Sequence, residues 1–206
     1  MRKKNNWTPS PGDYRALPQA DIALERRKPA EGCRHLITVA QLRAFVELLP
    51  EWEEIAVGVR AIVLDSATDC YGWYQAGIVA ICNWEHELWS LEPASFFDEC
   101  GYVIEKFGVE TVSLSESYEL RELNELLDSL GKPPIVAGDA WREVRWTAAQ
   151  ARAFLLLYVL PHELGHHHDR MTTRSRRVAR GEPYAEAYAR RAVEALWPAY
   201  AREFGV

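Results

Sequence analysis

Two histidines one helical turn apart constrain this chain more than any other feature. They are His162 and His166, in the stretch His162-Glu163-Leu164-Gly165-His166. On an α-helix, residues four apart lie one above the other on one face, so both imidazoles can reach a single ion. Glu163 projects beside that pair, where it can take a proton from a metal-activated water. The fold must therefore hold this segment as a helix with one face turned to a cleft. A catalytic zinc site uses three protein ligands and keeps a fourth position open. The motif supplies two ligands and a base, so the third ligand has to come from elsewhere.

The flanks agree with a helix. A long apolar run, Ala151 to Leu160, leads into the motif, and Thr147 with Gln150 forms a capping box before it. Pro161 sits between run and motif. Inside a helix it removes a hydrogen bond and kinks the chain, whereas at a first turn it fits. In either case the segment from His162 onward can be helical.

Outside the 162–168 cluster the histidines are His35 and His86, and none follows His168. Asp169 and Thr172 stand where a metzincin needs Gly and His, which excludes that class. The downstream carboxylates Glu182 and Glu186 are four apart and share a helix face. Pro183 suits the first turn of that helix, which is expected to run to about Trp197, where Pro198 interrupts. One of the two can bind zinc while the other accepts a hydrogen bond from a ligand histidine. Asp169, one turn beyond His166, is placed to orient a ligand; a surface aspartate is the plain alternative. His167 and His168 rotate away from the metal face and are expected to be solvated or second-site groups. Tyr158, Tyr184 and Tyr188 are candidate hydrogen-bond donors to an oxyanion.

The pair H-E-x-x-H and a following helix with E-x-x-A-[N/D]-x-[F/Y]-A resembles the Glu-zincins, and most of all the ImmA/IrrE group of small metallopeptidases. The matching residues are His162, Glu163, His166, Glu182, Ala185, Tyr188 and Ala189. Glu186 stands where that group has Asn or Asp. The resemblance spans Thr147 to Ala195. It implies a zincin-like fold, one zinc ion per chain and Glu182 as third ligand, which leaves Glu186 behind the ligands. The implied activity is hydrolysis of peptide bonds in a specific regulatory protein. Glu31-Gly32-Cys33 has a thinner likeness to peptide deformylases, but Gly165 stands where those enzymes carry Asp.

Composition sets further bounds. The 206 residues suffice for one domain or a domain with an appendage. A net charge of −6 argues against bulk nucleic-acid binding. The four cysteines show no C-x-x-C spacing, so free buried thiols are expected. The basic start lacks the apolar core of a secretory signal, and no run reaches membrane-span length. A cytoplasmic location without membrane contact is the expectation.

The expected architecture is α+β: a small antiparallel sheet packed by helices, with the active-site helix in the C-terminal third. Residues 1–36 read as an irregular arm and 37–206 as a single domain. Helices are expected at Thr38–Leu49, Pro93–Phe107 and Ser117–Leu130. Ile55–Leu64, Tyr71–Tyr74, Gly77–Trp84, Glu110–Leu114 and Glu143–Trp146 read as strands. The 77–84 segment is the candidate to hold an extended substrate by backbone pairing. The basic connector Arg170, Arg174, Arg176, Arg177 and Arg180 is a candidate patch for an acidic partner. A non-catalytic module that binds protein or nucleic acid through this connector is the alternative to a peptidase.

Overall fold

Residues 22–75, 77–113, 120–129, 131, 134, 141–173 and 180–205 are described in a computed structural model, which divides the chain into two compact units. The described residues up to His86 and from Ala151 form the first unit, and those within Glu87–Gln150 the second. The single domain 37–206 expected above thus holds an inserted unit.

In the first unit the chain runs through β1 (Ala23–Arg26), β2 (Cys33–Arg34), α1 (Val39–Leu48), α2 (Trp52–Ile55), β3 (Ala61–Asp65), β4 (Gly72–Gln75), β5 (Ile78–Cys82) and β6 (Trp84–Glu85). The main sheet has the order β1-β3-β5-β4. β1 and β3, and β3 and β5, pair in parallel; β4 and β5 form an antiparallel hairpin. The sheet is therefore mixed, not antiparallel. β3 and β5 are buried at every residue, and unbroken apolar runs are what strands covered on both faces require.

Two expectations change with this topology. The arm proposed for residues 1–36 gives way at Ala23–Arg26 to an edge strand in register with Ala61–Leu64. The 77–84 segment cannot recruit a peptide, because β5 is paired on both sides. The other limit of the sheet is β4. Tyr71, Trp73 and Trp84 serve packing: Tyr71 lies 5.2 Å from both Trp84 and Phe154, and buried Trp73 donates Nε1–H to buried Asp65 at 2.9 Å.

α1 begins with the expected capping box, in which Thr38 Oγ1 accepts from Gln41 N–H and Gln41 Oε1 accepts from Thr38 N–H. The second unit holds β7 (Trp89–Pro93), α3 (Ala94–Lys106), β8 (Glu110–Ser113), α4 (Leu120–Ser129) and β9 (Trp141–Arg145). Its sheet, β7-β9-β8, is antiparallel throughout. Ser117, at the start of the helix expected there, lies outside the described residues.

The chain then stays helical from Ala148 to Thr172: α5 (Ala148–Ala153), a π-helical turn (Phe154–Val159) and α6 (Leu160–Thr172). The second capping box is present, with Thr147 Oγ1 accepting from Gln150 N–H at 3.1 Å. The π turn accommodates Pro161. Proline brings no N–H and clashes with the carbonyl four residues back in a regular helix. Widening the preceding turn, so that Leu160 N–H bonds Leu155 O, admits it without ending the helix. The last helix, α7, runs Glu182–Phe204 and passes through Pro198 instead of stopping at Trp197. Pro198 is exposed, and buried Leu196 and Tyr200 hold the turns on either side of it. No described helix is long and apolar enough to cross a membrane.

Candidate metal centre

α6 and α7 cross at Gly165 and Ala185. A Cβ on Gly165 would lie 2.9 Å from Ala185 Cα and 2.9 Å from Tyr188 Cβ, closer than such atoms pack. Glycine thus lets the two backbones touch, and the first turn of α7 reaches the histidines of α6. Glu182 Oε2 lies 3.2 Å from His162 Nε2 and 3.5 Å from His166 Nε2. Ligands at ~2.0–2.1 Å from a tetrahedral ion are separated by about 3.3 Å. The two edges from Glu182 match that spacing. Among the described residues, His162, His166 and Glu182 are the group whose ligand atoms converge in this way, within 4.8 Å of one another. His162 is buried, His166 partly so, and the Glu182 side chain is 65% exposed, so the group opens to solvent on the Glu182 side.

The charges suit a cation. Burial disfavours the charged form of His162, yet the hydrogen bond to Glu182 and the nearby carboxylates of Glu186 and Glu163 outweigh it and push the imidazole up to about 9. The two histidines in turn hold the Glu182 carboxyl well below the usual range. Protein charges alone favour positive charge between these side chains, whether a proton or a metal ion supplies it.

Glu163 is 1% exposed. Its stem lies against β4, where a Cβ on Gly72 would sit 3.1 Å from Glu163 Cγ and 2.5 Å from Val159 Cγ1. Gly72 is what allows the edge strand to pass this close to the helix. Glu186, one turn along α7 from Glu182, places Oε2 3.7 Å from His162 Nδ1.

Three side chains differ from expectation. His167 is not solvated; it is 1% exposed. Its Nε2–H donates to Val57 O at 2.7 Å, and Nδ1 accepts from Tyr74 Oη at 3.2 Å. The imidazole therefore ties α6 to the loop before β3 and to the edge strand, and burial lowers its pKa. His168 pairs with Tyr184, Nδ1 to Oη at 2.7 Å. Asp169 touches no ligand histidine. It is 2% exposed and accepts from Arg180 Nε at 2.7 Å, Thr173 Oγ1 at 2.9 Å and Gly181 N–H at 2.9 Å. Gly181, at φ +68°, makes the turn into Glu182. Asp169 thus acts on the site by fixing where α7 begins.

Arg180, one of the connector arginines, is engaged in this joint, and its guanidinium also lies 3.7 Å over the Tyr184 ring. Arg174, Arg176 and Arg177 lie outside the described residues. Of the candidate oxyanion donors, Tyr158 Oη is bonded to Glu186 and Tyr184 Oη to His168. Cys33, of the deformylase-like element, pairs in β2 with Glu85 and is not in the metal group.

Burial would raise the Asp169 pKa, but the bonds from Arg180, Gly181 and Thr173 hold it below the ordinary carboxylate value. Its stabilising effect is therefore full above the unfolded value of about 3.9 and is lost as pH falls through the folded one. Asp169→Asn puts an NH2 group against a donor whichever way the amide turns. It is expected to cost about 1–3 kcal/mol at pH 7. Urea unfolding at pH 7 and pH 3 checks this: the gap from wild type narrows at the lower pH, and a constant gap refutes the assignment.

Comparison with protein-family models, curated proteins and solved structures returned no match.

Proposed function

We propose that the chain is a zinc-dependent metallopeptidase with a zincin-like site that hydrolyses peptide bonds in a specific protein substrate. One observation carries this reading. Two nitrogens from α6 and one carboxylate oxygen from α7 converge within 4.8 Å of one another, with the oxygen 3.2 and 3.5 Å from the nitrogens, and a buried glutamate stands on the same helix as the histidines. His162, His166 and Glu182 would hold the ion. Zinc bound there supplies Lewis acidity toward the scissile carbonyl and toward water. Glu163 takes the proton of the attacking water and returns it to the leaving amine.

The edge of β4 is the natural seat for an extended substrate. Cys82 N–H bonds Tyr71 O, which makes 71 and 82 a bonded pair of the hairpin. Bonded and non-bonded pairs alternate in an antiparallel ladder, so Gly72 and Tyr74 turn their N–H and C=O groups outward. No described strand pairs with β4 on that side. A peptide lying there would run alongside the Gly72 backbone that packs on Glu163.

Elemental analysis of protein purified without added metal is the direct test. One zinc per chain is expected. Absence of any transition metal, with no uptake on adding zinc, overturns the reading.

A further inference from the structure

The two ring nitrogens of His162 meet different surroundings. Nε2 faces Glu182 and the metal group. Nδ1 is buried with no acceptor inside hydrogen-bond distance, and Glu186 Oε2 stands 3.7 Å away. A buried ring nitrogen needs a partner. A shift of under about 1 Å brings this oxygen to hydrogen-bond length. That same Oε2 accepts a 2.6 Å hydrogen bond from Tyr158 Oη.

Tyr158 is itself well fixed. It is 3% exposed, stacks on Phe154 at 5.2 Å, and lies 6.0 Å from the His162 ring. It belongs to the π-helical turn one turn before the histidine. Glu186 is held less firmly by what else it meets: its other oxygen faces Arg190 Nη2 at 3.8 Å, and its side chain is 23% exposed. A glutamate carries one more rotatable bond than the Asp or Asn of the resembling motif. It therefore gains more from a second anchor.

We propose that Tyr158 is a positioning residue: it holds Glu186 so that the carboxylate accepts Nδ1–H of His162, which turns the Nε2 lone pair toward His166 and Glu182. The proposal rests on the metal-centre reading above. It makes a line of three side chains, one from the π turn, one from α7 and one from α6, in which the hydroxyl acts on the metal ligand only through Glu186. A tyrosine that merely fills space would act through its ring, which phenylalanine keeps.

The test is the zinc affinity of wild type, Tyr158→Phe, Glu186→Ala and the double variant, by competition with a chromophoric chelator. Tyr158→Phe is expected to weaken zinc about 10-fold, at the lower end for a partner behind a ligand. In the Glu186→Ala background it should add nothing. The visible spectrum of the cobalt(II) forms is the second readout. Its bands should shift with Tyr158→Phe, and not shift further in the double variant. Unchanged affinity and spectrum in Tyr158→Phe, or an equal loss with and without Glu186, overturns the proposal while leaving the metal centre intact. A wild type that takes up neither ion overturns both.

Discussion

Glu163→Gln is expected to keep zinc and fold while lowering peptide cleavage by at least about 100-fold, the ordinary loss on removing a general base. The amide has the size of the carboxylate and can hydrogen-bond water, but it cannot accept a proton at neutral pH. The structure sharpens the expectation about stability. Glu163 is 1% exposed, and its stem packs against Gly72 of the edge strand. Glutamine keeps that stem and its volume, so the packing against the edge strand and with it the fold should survive the exchange. Host proteins incubated with both forms, and read by mass spectrometry of new termini, give the comparison. A generic casein assay is a poor substitute, because the proposed activity is directed at a specific protein. Equal cleavage by both forms removes Glu163 from the mechanism. Cleavage by neither, across a broad set, overturns the peptidase reading in favour of a binding module.

The helix starts and the shared face of the candidate ligands were legible because they depend on local chemistry. Thr38 with Gln41, and Thr147 with Gln150, form their capping boxes from side chains three residues apart. The four-residue spacings of His162 with His166 and of Glu182 with Glu186 follow from helical pitch. Features set by distant neighbours were not legible. β1 lies among prolines and arginines, and only its register with Ala61–Leu64 makes it a strand. His167 points off the metal face as expected, yet the surface there is covered by Val57 and Tyr74, more than 90 residues away. Gly165 reads in sequence as a variable letter of the motif. In the fold it is the point where α7 comes close enough to deliver Glu182. Pro161 was the one local sign of the π turn, and the consequence for Tyr158 needs α7 in place.

Glu182 and Glu186 are the pair that sequence spacing could not order, and their replacement by alanine separates them. Glu182 Oε2 completes a triangle with both Nε2 atoms, at 3.2 and 3.5 Å. Glu186 Oε2 meets His162 on the opposite nitrogen, Nδ1, and lies behind the ring. Removing Glu182 leaves two nitrogens and takes away the one carboxylate of the converging group among the described residues. Removing Glu186 leaves all three candidate ligands and frees the ring orientation. Glu186→Ala is therefore expected to weaken zinc by about 10- to 100-fold, as loss of a partner behind a ligand does. Glu182→Ala should weaken it further still, to the point where zinc is lost on dialysis. The bond to His162 that holds the Glu182 carboxyl low is lost as well, so the melting temperature measured with chelator at pH 7 is expected to fall somewhat. Competition with a chelator at fixed pH ranks the two variants. If Glu186→Ala proves the more damaging, Glu186 is the ligand, and α7 must slide about 6 Å along its axis with a turn of only about 40°, relative to the arrangement described above.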